Sequence, residues 1–284
     1  MTDMTARAPA KINLGLHVLR KRDDGYHDIE TCMIALAWHD ELRFGSADTI
    51  SLTCSDRSLP ADESNLVVRA ANLLRETVGY AGGAEIHLEK TIPYAAGLGG
   101  GSSDAATTLK ALRALWELDL SDDELRHLGA QVGSDVPFFV SSEPAVATGR
   151  GEILTPLDTG TLFSEAHVLV VAAGEGISTA EAYESVGPSD RDRVSISDIV
   201  TGIHFTDWQG VLANDFQEVA FEKRPELVKI FDYITVVGAD YVSLSGSGSA
   251  IYGLFQERTE AERAAGKLRG YGLTAWSGRM IREA

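Results

Sequence analysis

The stretch that decides the reading of this chain is PYAAGLGGGSSDAA, residues 93–106. Four glycines, Gly97, Gly99, Gly100 and Gly101, fall within five positions. Without a Cβ, such a segment can turn its amides toward one centre and let a ligand approach the backbone closely. Ser102, Ser103 and Asp104 follow, and the spacing of Ala105, Leu109, Leu112 and Trp116 predicts a helix over about 103–118. The first N–H groups of a helix have no intrahelical partners, so loop and helix start together form an anion site. A flexible loop with Ser103 or Asp104 as an ordinary helix cap is the alternative, and the whole arrangement favours phosphate. Better-known phosphate motifs do not fit. There is no G-x-x-x-x-G-K-[ST], and G-x-G-x-x-G would need glycine where Ser102 stands. The catalytic-loop and D-F-G signatures of protein kinases are absent.

Around this loop strands and helices mix without a regular βαβ rhythm, which predicts an α+β fold. Strands are expected at 8–18, 29–38, 40–44 and 49–53. A further strand is expected at 84–90, where Ala84, Ile86 and Leu88 alternate with Glu85, His87 and Glu89. Ser64 is the expected cap of a helix through 77, and Ser121 of another through 132, with Asp122, Asp123 and Glu124 in its first turn. Short strands are expected at 136–140 and 145–148. Pro, Gly and Thr between apolar segments at 155–164 suggest a boundary, giving domains 1–158 and 159–284. The second domain should hold strands at 168–173, 241–244 and 250–255, and helices at 179–184, 211–221, 225–232 and 259–269.

The 284 residues are 44% hydrophobic and 24% charged, ordinary for a globular protein and wrong for a disordered one. Lys and Arg total 25 and Asp and Glu total 42, a net charge of −17, which repels nucleic acid and anionic lipid. Anionic substrates would therefore depend on local donors. Cys32 and Cys54 form no C-x-x-C pair, and no apolar leader or long apolar run is present, so a reduced, soluble, cytoplasmic protein is expected. Seven scattered histidines give no zinc spacing. The oligomeric state is not legible, and a homodimer stays open.

Three segments in order carry a resemblance: Ala8-Pro9-Ala10-Lys11-Ile12-Asn13-Leu14, the 93–103 loop, and Leu244-Ser245-Gly246-Ser247-Gly248-Ser249-Ala250. They resemble the three motifs of the GHMP kinases (galacto-, homoserine, mevalonate and phosphomevalonate kinases). With Asp24-Gly25-Tyr26-His27 and Gly133-Ser134-Asp135-Val136-Pro137-Phe138-Phe139, the chain is most similar to the branch acting on a methylerythritol carried on cytidine diphosphate. That branch serves the non-mevalonate isoprenoid pathway and phosphorylates the 2-hydroxyl. The resemblance implies an N-terminal domain like ribosomal protein S5 domain 2 and a ferredoxin-like C-terminal domain, with the site between them. A homoserine- or mevalonate-type acceptor, or a non-catalytic nucleotide-binding regulator, are the competing readings.

Phosphoryl transfer needs positioning, charge neutralisation and a route for the hydroxyl proton. Asp135 is the candidate proton acceptor and Lys11 its cationic partner. By themselves they fit a turn cap before Pro137 and a strand-edge lysine. Asn13, two residues from Lys11 on the same strand face, is a candidate substrate ligand. The resemblance assigns ATP to Pro93, Tyr94, Ala95, Ala96, Gly97, Leu98, Gly99, Gly100, Gly101, Ser102 and Ser103, with Asn65, Leu66 and Lys90 near the adenosine. It implies a cytidine pocket in which His27 bonds the base edge and Tyr26 is one stacking wall. The second wall would come from 177–183 through Thr179 and Tyr183, although Ser178 and Ala180 replace the branch's usual prolines. A core-facing helix residue is nearly as good a reading of Tyr183. Mg²⁺ is the expected metal, because it bridges nucleotide phosphates. Ser103 is a candidate ligand, and no acidic ligand is singled out. The 245–249 turn should let the second domain approach the cleft, or is a plain turn between strands.

Overall fold

Two long strands organise the N-terminal half: β1 (Met4–Lys21) and β2 (His27–Ala47) form an antiparallel hairpin. Its tip is held by Arg22, whose guanidinium pairs with Asp24 and Asp28, while Arg22 N–H donates to the Tyr26 carbonyl at 2.8 Å. The computed structural model describes residues 4–174, 179–187 and 193–282. On β1, Ala10, Ile12 and Leu14 point into the core, so alternation turns Lys11 and Asn13 to the opposite face. A register shift between Pro9 and Lys11 marks a bulge, a device that re-aims the side chains beside it.

Next come β3 (Ser51–Cys54), α1 (Leu66–Val78), β4 (Gly83–Glu89), α2 (Gly100–Leu115), α3 (Asp122–Val132), α4 (Phe138–Ser141), β5 (Ala145–Thr148) and β6 (Ile153–Pro156). The sheet runs β3-β4-β2-β5-β6, with β1 along the other edge of β2. The 21-residue β2 takes β4 at 41–47 and β5 at 31–33 on one edge. Leu74 of α1, Leu109 and Leu112 of α2, and Leu125 of α3 bury against Phe44, Ile86 and Leu88 of this sheet.

The second half adds α5 (Leu162–Glu165), β7 (His167–Ala172), α6 (Thr179–Ser185), α7 (Ile196–Gly202), α8 (Gln217–Lys223), α9 (Pro225–Val236), β8 (Tyr241–Leu244), β9 (Ile251–Phe255), α10 (Arg258–Gly270), β10 (Thr274–Gly278) and β11 (Met280–Ile281). Strands β10-β7-β9-β8 form an antiparallel sheet. Alternation splits β7. Leu169 and Val171 pack with Ile230 of α9 and Ala264 of α10, whereas Val168 and Val170 pack with Ile12, Ile34 and Leu98 of the first half. The two sheets thus share a core rather than touch at a wet interface.

Several expectations change. Strands 29–38 and 40–44 are one strand, β2. Asn65, not Ser64, caps α1, its side chain accepting from Val67 N–H at 3.0 Å. The 103–118 helix begins earlier, at Gly100, and ends at Leu115. Residues 136–140 are not a strand but a turn leading into α4. The expected helix at 211–221 starts only at Gln217, because Asn214 turns back to donate to the Leu244 and Gly246 carbonyls at 2.9 Å. The division at 158/159 is crossed by β11, which pairs with Leu36 and Ala35 of β2. Ser121, by contrast, makes the full capping box with Glu124.

Candidate active site

The 93–103 loop lies between β1 and the 245–249 turn and is bonded to both. Lys11 N–H donates to the Leu98 carbonyl, and Ala250 N–H to the Ala96 carbonyl, each at 2.9 Å. Asn13 N–H donates to Ser245 Oγ at 3.3 Å, and Ser245 Oγ donates to the Gly97 carbonyl at 2.9 Å. One hydroxyl therefore ties the three sequence motifs together. Gly97 has φ +78°, and a Cβ there would lie 2.1 Å from the Ser245 carbonyl oxygen. Gly97→Ala should accordingly cost about 1–3 kcal/mol and raise the KM for ATP, as denaturant unfolding and steady-state kinetics would read. Retention of both values would show that this contact does not hold the loop.

Gly99 (φ +69°) is the N-cap of α2, so the loop runs straight into a helix N-terminus with its partnerless first amides. A Cβ on Gly99 would meet Lys11 Cγ at 2.9 Å, which puts the lysine stem against the loop. The Lys11 ammonium lies 3.4 Å from Asp135 Oδ2, with side chains 5% and 28% exposed. It also donates to Asn13 Oδ1, and Asn13 Nδ2 donates to Thr31 Oγ1 at 3.0 Å. Asp135 is delivered by the turn after α3, anchored by buried Val136, Phe138 and Phe139. A Cβ on neighbouring Gly133 would lie 3.8 Å from Ser102 Oγ, so the turn faces the loop.

His27, the expected edge contact, and Tyr183, the expected second wall, also converge here, and their rings stack on each other at 5.0 Å and 12°. Tyr183 also meets Phe216 edge-on at 4.8 Å. Burial, reinforced by the Asp135 carboxylate, pushes the Tyr183 hydroxyl up to about 12. Partial burial, then Lys21, lowers the His27 pKa, favouring a neutral imidazole. Tyr26 is 55% exposed, with the Arg150 guanidinium 4.8 Å from its ring centroid. Residues 175–178 and the side chains of Thr179 and Ala180 lie outside the described residues.

Other expected nucleotide residues divide by environment. Tyr94 is 68% exposed at the loop's outer edge, whereas Ala96 and Leu98 are its buried root. Leu66 abuts the helix start, 3.6 Å from where a Gly101 Cβ would be. Asn65 spends its side chain on the cap and on the Pro60 carbonyl. Lys90 turns its ammonium inward. Its ammonium is buried between Asp40 and Asp104, 2.9 Å from Asp104 Oδ2, beneath Gly100. Burial pushes the Asp104 carboxyl up to about 7; Lys90 opposes that rise and Asp40 adds to it. The sequence offered no sign of Asp40 or Thr31 as partners, since neither stands in a motif.

Ser103 Oγ is buried without a hydrogen-bond partner. An orphaned hydroxyl at a phosphate loop is a donor set that fits Mg²⁺ or a phosphate oxygen. Among the described residues no group of three or more His, Cys, Asp or Glu could hold a metal.

Comparison with known proteins gives the family. Residues 65–143 match the GHMP kinases N terminal domain and residues 191–272 the GHMP kinases C terminal domain. The 4-diphosphocytidyl-2-C-methyl-D-erythritol kinase of Salinibacter ruber is 46% identical over 261 residues, 91% of this chain and 92% of that one. The chain belongs to the 4-diphosphocytidyl-2-C-methyl-D-erythritol kinase family. That of Chlorobium luteolum, another member, is 44% identical over 93% of each chain. A crystal structure of 4-(cytidine 5'-diphospho)-2C-methyl-D-erythritol kinase superposes with a TM-score of 0.81 at 36% identity, over 98% of this chain and 99% of that one. A mevalonate kinase at 16% identity, TM-score 0.69 over 99% and 100% of the two chains, shares the fold alone.

Proposed function

We infer that this chain transfers the γ-phosphoryl group of ATP to the 2-hydroxyl of 4-diphosphocytidyl-2-C-methyl-D-erythritol, giving the 2-phosphate and ADP. The observation that carries the inference is the Lys11–Asp135 pair at 3.4 Å, its lysine stem lying against Gly99 of the phosphate loop. The amides of the loop and of the α2 start hold the phosphates. Asp135 accepts the hydroxyl proton as the acceptor oxygen forms its bond to the γ-phosphorus, and the bond to the ADP oxygen breaks. Lys11 offsets charge on the moving group. Asn13, held by Thr31, orients Lys11. His27 reads the cytosine edge and Tyr26 offers a stacking face.

Mg²⁺ would be held mainly by the nucleotide phosphates, with Ser103 as a protein oxygen, and would neutralise phosphate charge. Two free cysteines suit the ATP-containing cytoplasm where we place the reaction. Among the described residues no helix is long and apolar enough to cross a membrane.

A substrate panel tests the reading. ADP release should require the cytidyl acceptor, with homoserine and mevalonate giving none. Turnover of a nucleotide-free alcohol alone would replace this acceptor. ATP binding without ADP release on any acceptor would point to a regulator.

A further inference from the structure

We propose that Arg150 binds the diphosphate of the cytidyl acceptor and so sets the preference for a nucleoside-diphosphate-linked alcohol; this rests on the acceptor class inferred above. That acceptor carries two anionic phosphates between its base and its alcohol, and a protein of net charge −17 must offset them locally. Two neighbouring cations are already engaged. Lys11 is held by Asp135 and Asn13, and Arg22 by Asp24 and Asp28. Arg150 is held more loosely: its Nε is 3.6 Å from Glu152 Oε1, beyond hydrogen-bond length, and its side chain is 33% exposed.

Its position matches the span a diphosphate must cross. The guanidinium lies over Tyr26, on the base side. The next residue, Gly151, lies against the reacting side, where a Cβ would be 3.8 Å from Asp135 Oδ1. The turn is held in place. Gly149 and Gly151 have φ of +68° and +107°, the Gly149 carbonyl accepts from Ile29 N–H at 2.8 Å, and Arg150 N–H donates to Glu152 Oε2 at 2.6 Å. Stacking on Tyr26 pre-sets the guanidinium plane, and its forked N–H groups match two phosphate oxygens better than an ammonium would.

The test measures inhibition, competitive with the acceptor at saturating ATP, by CDP and by cytidine. Arg150→Ala should raise the Ki of CDP and the KM of the acceptor about tenfold or more. The Ki of cytidine and the KM of ATP should stay within about twofold, and Arg150→Lys should recover part of the loss. Equal weakening of CDP and cytidine would mean that Arg150 acts only through Tyr26, and would overturn the proposal. So would unchanged CDP inhibition, or a larger CDP-selective loss in Lys21→Ala, whose site lies across the hairpin from His27. A wild-type enzyme inactive on the cytidyl acceptor would sink the functional reading and this proposal with it; normal wild-type turnover with any of the other adverse results sinks only the proposal.

Discussion

Asp135→Asn should lower kcat by about 10²–10⁴-fold while both KM values change little. The amide keeps the shape and the contact with Lys11 but cannot take the proton that leaves the acceptor hydroxyl. Loss confined to kcat is the signature of an interaction made in the transition state. The alternative is that Asp135 only shapes the turn before Pro137, in which case the amide would serve as well and kcat would be near normal. Asp135 is 28% exposed on its side chain, so unfolding is not the expected outcome. A thermal melt of the variant separates the two causes. Near-normal kcat in a folded variant would remove Asp135 from the chemistry.

Lys90→Met should cost about 3–5 kcal/mol of stability, because it leaves the Asp40 and Asp104 carboxylates facing each other without a cation. Asp40 is fully buried, and the Thr91 and Ile92 amides donate to its Oδ1 at 2.6 and 2.8 Å, so it cannot swing out to water. Both acids underlie the start of the phosphate loop, and the KM for ATP should rise with the loss of stability. Adding Asp40→Asn and Asp104→Asn to Lys90→Met should restore much of the urea midpoint, since a buried charge triad swapped for neutral groups is often tolerated. Full stability in the single variant would show that the cluster is not what seats the loop.

The phosphate loop was legible because its chemistry is local: glycines, serines and a helix start follow one another within a dozen residues. The capping box at Ser121 was legible for the same reason. The meeting of Lys11 with Asp135 was not in any pattern of spacing. It came from family resemblance, and the fold brings the two together by packing α3 on α2, which itself lies against β1. Errors arose where composition is ambiguous. Val136, Phe138, Phe139 and Val140 suit a buried strand or a short buried helix equally, and Pro137 at the N-cap of α4 decides for helix. The resemblance puts Lys90 near the adenosine, and only the distant Asp40 shows its ammonium to be interior. The resemblance gives Tyr183 as a wall and His27 as an edge contact, and no spacing in the sequence shows that the two rings stack on each other.

The placement of β10 and β11 reaches beyond the finished molecule. β10 forms one edge of the smaller sheet, and β11 borders β2 next to the residues opposite Lys11. During translation both emerge after every other described element, so a nascent chain still short of residue 274 has neither sheet complete. Nucleotide capture is then expected to need strands as late as β11, and a chain cut before β10 should bind ATP far more weakly, as a nucleotide titration would read.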